Sequence, residues 1–146
     1  MSLKGQNTTT SYMEWNDFIS LITRLEKDKD YKFCLLVSLG VFTGLRITDL
    51  LGLRYTDVLN KEVFKIKENK TGKERSIKLN RDLKEIVERI VSKLKILDRN
   101  EFIFINKYGT KPIDQSYVNV KLKEIFKKYR IKVNGNVSTH TFRKTL

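Results

Sequence analysis

Three short, widely separated segments of this chain carry side chains suited to the chemistry of phosphate esters. The first, residues 43–51, reads TGLRITDLL and contains Arg46 and, three residues later, Asp49. An i,i+3 spacing places both side chains on one face of a helix, where a carboxylate can orient a neighbouring cation. The alternative is an ordinary surface ion pair, a common feature that contributes little to stability.

The second segment, residues 70–75, reads KTGKER and lies between two short β-branched runs. Its position predicts a hairpin tip, from which Lys70 can reach into a groove to donate a proton or contact phosphate. Lys73 and Arg75 extend the same positive charge and are candidate DNA contacts. The alternative is a charged turn that keeps the edge strands soluble.

The third segment, residues 140–143, reads HTFR and contains the only histidine of the chain. The i,i+3 spacing puts His140 and Arg143 on one helical face. This pair suits an anion, because arginine offers a bidentate fork and imidazole donates or accepts near neutral pH. The alternative is a helix N-terminus with an incidental histidine.

In this order and combination, the three segments resemble the tyrosine recombinase (phage integrase) family over almost the whole chain. The resemblance implies that Arg46 and Arg143 grip the non-bridging oxygens of a scissile DNA phosphate. It implies that Lys70, or less favourably Lys73, protonates the departing 5′-oxygen.

By the same resemblance, His140 bonds the phosphate and assists proton transfer, while Asp49 supports the arginine and the histidine. The implied activity is site-specific cleavage and rejoining of DNA through a 3′-phosphotyrosine. Two arginines and a lysine neutralise a phosphodiester without a metal, so we expect neither a metal nor a cofactor. The sequence also lacks both a metal-ligand cluster and a glycine-rich phosphate loop.

None of the tyrosines matches the nucleophile of the family, which follows the third segment. All six precede it: Tyr12, Tyr31, Tyr55, Tyr108, Tyr117 and Tyr129. We therefore expect a catalytic domain that is incomplete at its C-terminus, monomeric and incapable of cleavage alone. The parent recombinase is expected to assemble as a tetramer on DNA.

The elements that must position these residues predict a mainly α fold with a small antiparallel β-sheet, an α+β class. Ser11 and Glu14 form a capping box before a helix whose predicted inner face is Trp15, Phe18, Ile19, Ile22 and Leu25. Residues 31–43 are apolar on every side and predict a buried helix that Gly44 ends. Two short alternating runs, residues 63–67 and 75–79, predict a hairpin.

Two amphipathic helices are predicted after the hairpin. Asn80 caps the first, whose predicted inner face runs from Leu83 to Leu97 at spacings of three and four. Asp114 or Ser116 opens the second, and its outer face carries four candidate DNA-binding lysines: Lys121, Lys123, Lys127 and Lys128.

Composition favours a polyanionic partner. Thirty Lys and Arg residues against 17 Asp and Glu residues give a formal net charge of +13 over 146 residues. Such a field attracts nucleic acid, and we expect double-stranded DNA as the partner. The lone Cys34 in an apolar run suits the reducing cytoplasm, and no transmembrane segment is evident.

Residues 1–11 are assigned to a polar leader or linker, in which residues 1–3 fit a remnant of an expression vector. Residues 12–146 then form the N-terminal and central part of one catalytic domain. Two other classes stay open: a DNA-binding module without turnover, and a basic adaptor that binds an acidic protein. The adaptor predicts no affinity for duplex DNA.

Overall fold

The computed structural model describes residues 12–131 and 133–134, which form a mainly helical fold with small antiparallel sheets. The helices are α1 (Trp15–Lys27), α2 (Tyr31–Thr43), α3 (Ile47–Leu51), α4 (Tyr55–Val58), α5 (Arg81–Leu94) and α6 (Gln115–Lys128). The strands are β1 (Tyr12–Met13), β2 (Val63–Lys67), β3 (Glu74–Lys78) and β4 (Val133–Asn134). The predicted fold class is confirmed.

Helix α2 is the centre of the core, as its apolar sequence predicts. Residues 33–41 are all buried, and the helix packs against both α1 and α5. It ends where Gly44 adopts φ +66°, a left-handed conformation that costs a residue without Cβ little. The chain therefore leaves the core at a fixed point just before Arg46.

Helix α1 presents a slightly different face to the core from the one predicted. Leu21 is buried, whereas Trp15 and Ile19 are 42% and 41% exposed. The Trp15 ring instead covers the rim of the core, with its centroid 5.0 Å from that of Phe18 and 5.8 Å from that of Phe42. The inner face is centred on Leu21 because positions 18, 21, 22 and 25 form one helical stripe.

Helices α5 and α6 begin at capping residues that the sequence predicts. Asn80 Oδ1 accepts the Leu83 N–H at 2.8 Å, and Asp114 Oδ1 accepts the Tyr117 N–H at 2.8 Å. Each side chain satisfies a backbone donor that the first helical turn leaves without a partner. Asp114 rather than Ser116 is thus the cap of α6. The capping box predicted before α1 is wrong, because the N-cap of that helix is Glu14, whose side chain makes no capping hydrogen bond. Ser11, the other half of the predicted box, lies outside the described residues.

The predicted hairpin is present, with its second strand one residue earlier than expected. Strands β2 and β3 pair antiparallel, with Val63 opposite Lys78 and Lys67 opposite Glu74. The pairing of Glu74 adds that residue to β3, while Leu79 falls beyond its end. Gly72 in the connecting loop has φ +72°, the positive value expected of a tight turn.

Two features were not anticipated by periodicity. Strands β1 and β4 form a second two-stranded sheet, and strands of two residues are too short to show alternation. Leu97, predicted on the inner face of α5, is fully exposed. The helix ends at Leu94 because Lys95 takes a left-handed conformation with φ 54°.

Candidate functional site

Arg46 is held at the junction of two buried helices. It is the N-cap residue of α3, with extended backbone angles, and lies two residues after the end of α2 at Gly44. Ile47 and Leu50 of α3 are buried in the core. The backbone of Arg46 is therefore fixed, while 30% of its side chain is exposed.

Glu68, the residue directly after β2, is the centre of the charged cluster around Arg46. Its Oε2 lies 3.1 Å from Arg46 Nη1 and 3.4 Å from Arg75 Nη1. Its Oε1 accepts a hydrogen bond from the Thr71 hydroxyl at 2.9 Å. One carboxylate, 9% exposed, thus joins two arginines and the hairpin tip. We call Arg46, Glu68 and Arg75 the arginine cluster.

The environment of Glu68 keeps it ionised at neutral pH. The Thr71 hydroxyl, followed by the charges of Arg46 and Arg75, lowers the pKa of the Glu68 carboxyl. Burial acts in the opposite direction but does not prevail. The carboxylate therefore remains an acceptor for both guanidinium groups over the ordinary working range of pH.

Asp49 connects α3 to the same hairpin by a different contact from the one its spacing suggested. Asp49 Oδ1 accepts the backbone N–H of Asn69 at 3.1 Å, whereas Arg46 forms its salt bridge with Glu68. Asp49 Oδ2 is buried and has no hydrogen-bond partner among the described residues. The support that Asp49 gives to an arginine and a histidine stays a prediction.

The loop at residues 68–73 is closed by its own hydrogen bonds. The Glu68 N–H donates to the Lys73 carbonyl at 2.8 Å, and the Gly72 N–H donates to the Glu68 carbonyl at 2.8 Å. The Lys73 N–H donates to the Thr71 hydroxyl oxygen at 3.1 Å. Lys70 and Lys73 are both exposed on this ordered tip. Lys70 is thus presented two residues from the carboxylate that holds Arg46.

The structure therefore brings two of the three predicted segments together. Arg46, Arg75 and the tip that bears Lys70 meet around Glu68, although 22 residues separate Arg46 from Glu68. His140 and Arg143, the third segment, lie outside the described residues.

Sequence reasoning missed Glu68, although a signal for it was present. Phe64 and Glu68 are buried and Ile66 is partly buried, so the three positions alternate in phase along the strand. Residues at i, i+2 and i+4 line one face of a strand, which predicts that Glu68 points toward the interior. A carboxylate in phase with apolar residues requires a buried partner.

The four lysines of α6 are divided between two flanks of the helix. Lys121 and Lys128 line a cavity of about 950 Å³ that is also lined by the start of α2. Lys128 Nζ lies 3.5 Å from Asp28 Oδ2. Lys123 and Lys127 are exposed and do not line this cavity. The division follows from the helical repeat of 3.6 residues.

In the part of the chain that the structure describes, no group of three or more His, Cys, Asp or Glu residues is placed to hold a metal ion. No helix among those residues is long and apolar enough to cross a membrane. Burial raises the pKa of the Cys34 thiol to about 12, so this cysteine is not an activated nucleophile.

Comparison with known proteins places the arrangement in a family. The model of the phage integrase family matches residues 12–146. The chain belongs to the phage integrase family. A similar curated protein, the probable integrase/recombinase YoeC of Bacillus subtilis (strain 168), is 33% identical over 106 residues. That match covers 73% of this chain and 55% of YoeC, so the chain spans about half the length of this relative.

Solved structures of XerA recombinase and lambda integrase share the fold. The crystal structure of XerA recombinase superposes with a TM-score of 0.71 at 21% identity, covering 93% of this chain and 48% of XerA. Lambda integrase (residues 75–356) bound to DNA gives a TM-score of 0.70 at 18% identity, covering 98% of this chain and 51% of that one. The phage integrase fold is thus retained at low sequence identity.

Proposed function

We propose that this chain forms the phosphate-binding part of a site-specific DNA recombinase that cuts and rejoins strands through a 3′-phosphotyrosine. The observation that carries the proposal is the arginine cluster beside the tip that bears Lys70. Such a cluster suits a phosphodiester, whose negative charge must be neutralised before a nucleophile can attack. Membership of the phage integrase family and the names of its relatives support the same reading.

In this proposal Arg46 and Arg143 bind the non-bridging oxygens of the scissile phosphate. The charge that develops on those oxygens in the pentacoordinate transition state is then met by donors already in place. Arg46 suits this task because α2 and α3 fix its backbone and its guanidinium stays partly exposed.

Proton transfer is assigned to the remaining candidates. Lys70, with Lys73 as the less favoured substitute, protonates the 5′-oxygen that leaves when the strand is cut. His140 bonds the phosphate and assists proton transfer, and Asp49 orients its neighbours. Because none of the six tyrosines follows Arg143, we propose that the nucleophile is not among these 146 residues.

The proposed partner is double-stranded DNA in the cytoplasm, bound by a monomer of this chain and by a tetramer of the parent recombinase. The net charge of +13 supports a polyanionic partner. Lys73, Arg75 and the lysines of α6 supply further phosphate contacts, which position a duplex without reading its sequence. Binding by this chain alone should fall in the non-specific range, with a dissociation constant of about 10⁻⁴–10⁻⁶ M.

A nicked suicide duplex, from which the cleaved fragment escapes, tests this function. A polypeptide whose reading frame continues past Leu146 into a tyrosine-bearing helix should form a covalent protein–DNA adduct, whereas the 146-residue chain should form none. An adduct through any of the six tyrosines would overturn the assignment. Duplex binding without an adduct in the longer polypeptide would favour a DNA-binding module without turnover.

A further inference from the structure

We infer that Glu68 is a positioning residue that holds Arg46 and Arg75 as a pair, so that the two guanidinium groups receive one DNA phosphate together. The inference rests on the proposed function, which it deepens by adding a buried anion, Glu68, and a third arginine, Arg75, to the site. Glu68 itself does not touch DNA.

The exposure of the three side chains supports this arrangement. The Glu68 side chain is 9% exposed, whereas those of Arg46 and Arg75 are 30% and 35% exposed. The carboxylate thus lies beneath the two guanidinium groups, whose outer parts remain open to solvent. An external phosphate meets the arginines without having to displace Glu68.

The contacts leave donors free for such a phosphate. Among the described residues, Arg46 and Arg75 each contact Glu68 through Nη1 alone. A guanidinium carries five N–H donors in a planar fork, so most donors of both arginines are available to a second anion. Two arginines on one carboxylate also keep a net positive charge, which an isolated salt bridge would not.

Thr71 extends the arrangement to the hairpin tip. Its hydroxyl donates to Glu68 Oε1 and accepts the Lys73 N–H. The carboxylate is thereby oriented by a loop that is itself closed by hydrogen bonds, so Oε2 faces the two arginines. Thr71→Val should loosen this orientation without changing any charge, whereas Thr71→Ser should preserve it.

The test compares two substitutions that change the net charge equally but are expected to change the affinity for duplex DNA in opposite directions. Glu68→Gln and Glu62→Gln each raise the net charge of +13 by one unit, and each removes a carboxylate that pairs with a cation. General electrostatics predicts that both variants bind duplex DNA slightly tighter. If Glu68 aligns the arginines, Glu68→Gln should instead weaken binding about five- to tenfold, because charge-assisted phosphate contacts are lost.

Binding is measured by fluorescence anisotropy with a labelled duplex at fixed salt. Glu62→Gln should bind at least as tightly as the unmodified chain. Thr71→Val should weaken binding about twofold, and Thr71→Ser should restore it. Binding by Glu68→Gln as tight as that by Glu62→Gln would overturn the inference. If Glu68→Gln fails to fold, equal affinity of Thr71→Val and the unmodified chain would overturn it.

Arg46→Gln separates this inference from the proposed function. Its control is Arg81→Gln, which changes the charge equally at a residue whose side chain is 91% exposed. Weaker binding by Arg46→Gln but not by Glu68→Gln would overturn the positioning role alone. No difference between Arg46→Gln and Arg81→Gln would overturn the proposed function and this inference with it.

A spectroscopic signature distinguishes positioning from general structural support. The side-chain ¹⁵N resonances of Arg46 and Arg75 should titrate together as acid protonates Glu68. The midpoint should lie below 4.5, the ordinary pKa of a glutamate, and the transition should vanish in Glu68→Gln. Separate midpoints for the two arginines would contradict the shared anchor.

Discussion

Two glutamates in the described part of the chain each hold two cations, but in different ways. Glu26 of α1 binds Arg89 and Lys93, both on α5, and Arg89 uses two nitrogens of its fork, with contacts of 3.0–3.2 Å. Glu68 binds two arginines from separate segments, each through one nitrogen. Glu26 thus occupies two of the three guanidinium nitrogens of Arg89, whereas Glu68 leaves most N–H donors of Arg46 and Arg75 available.

This difference indicates what each carboxylate does. Arg89 and Lys93 are four residues apart on one helix, so the helix already places them side by side. Glu26 therefore adds a contact between α1 and α5 and stabilises their packing. Arg46 and Arg75 have no common element, and both contact Glu68. The comparison predicts that the Glu26 region affects stability and the Glu68 region affects DNA chemistry.

The largest expected difference between the two regions is in how a lysine substitution in each affects the rate of DNA cleavage. Lys70 is exposed on the hairpin tip, whereas Lys93 is paired with Glu26 at 2.6 Å. In a cleavage-competent polypeptide, Lys70→Ala should slow cleavage about 10²–10⁴-fold because the leaving 5′-oxygen loses its acid. Lys93→Ala should leave the cleavage rate unchanged. The measurement is a single-turnover rate on a saturating suicide duplex.

A substrate with sulfur at the 5′-bridging position shows whether Lys70 is the acid. A thiolate leaves without being protonated, so this substrate should restore the cleavage rate of Lys70→Ala. It should not restore the cleavage rate of Arg46→Ala, because that variant lacks a donor that stabilises the negative charge on the phosphate oxygens. If this substrate restored the cleavage rate of Lys73→Ala but not that of Lys70→Ala, the general acid would be Lys73, the less favoured lysine.

Substitutions of Arg46 and Arg89 should differ almost as strongly in their effect on the cleavage rate. Arg46→Ala removes a donor from the phosphate and should lower the cleavage rate about 10²–10³-fold, the typical effect of losing one preorganised donor to a developing oxyanion. Arg89→Ala removes the same charge from the partner of Glu26 and should affect only stability. Rates at saturating DNA separate the chemical step from weaker binding. Equal rates for these two variants would remove the distinction between the regions.

The main features of the fold could be predicted because they depend on local patterns. The buried helix of residues 31–43, its end at Gly44 and the caps Asn80 and Asp114 all follow from apolar spacing and from residue types with one strong preference. The errors have local causes as well. Leu97 fits the period of α5, but the helix stops at Leu94, and periodicity does not mark an end.

The site was only partly predictable because it depends on contacts between distant segments. The candidate status of Arg46 and Lys70 came from their spacing and family resemblance. The structure places Arg46 on the Glu68 carboxylate and Lys70 on the exposed hairpin tip that Thr71 joins to the same carboxylate. The partner of Arg46 was expected to be Asp49, three residues away, yet it is Glu68, 22 residues away. Helical spacing identifies residues that can meet, whereas tertiary packing decides which of them do.

The stability role assigned to Glu26 is tested by Glu26→Gln. Hydrogen bonds from Arg89 and then Lys93 lower the pKa of the Glu26 carboxyl in the folded chain. A group with a lowered folded pKa stabilises the fold above its unfolded pKa and loses that effect as pH falls through the folded value. Glu26→Gln should therefore reduce the free energy of unfolding by about 1 kcal/mol at pH 7, and by much less in acid below the folded pKa.

Urea unfolding at pH 7 and at a series of lower pH values measures this difference, and the same samples provide the duplex-binding control. Glu26→Gln changes the net charge by the same amount as Glu68→Gln and also removes an anion that holds two cations. It should nevertheless bind DNA as tightly as the unmodified chain, because its cations face α1 rather than the arginine cluster. Weakened DNA binding by Glu26→Gln to the extent seen with Glu68→Gln would mean that loss of any such anchor disturbs the fold. In that case the affinity would report general stability, and the two glutamates would not have separate roles.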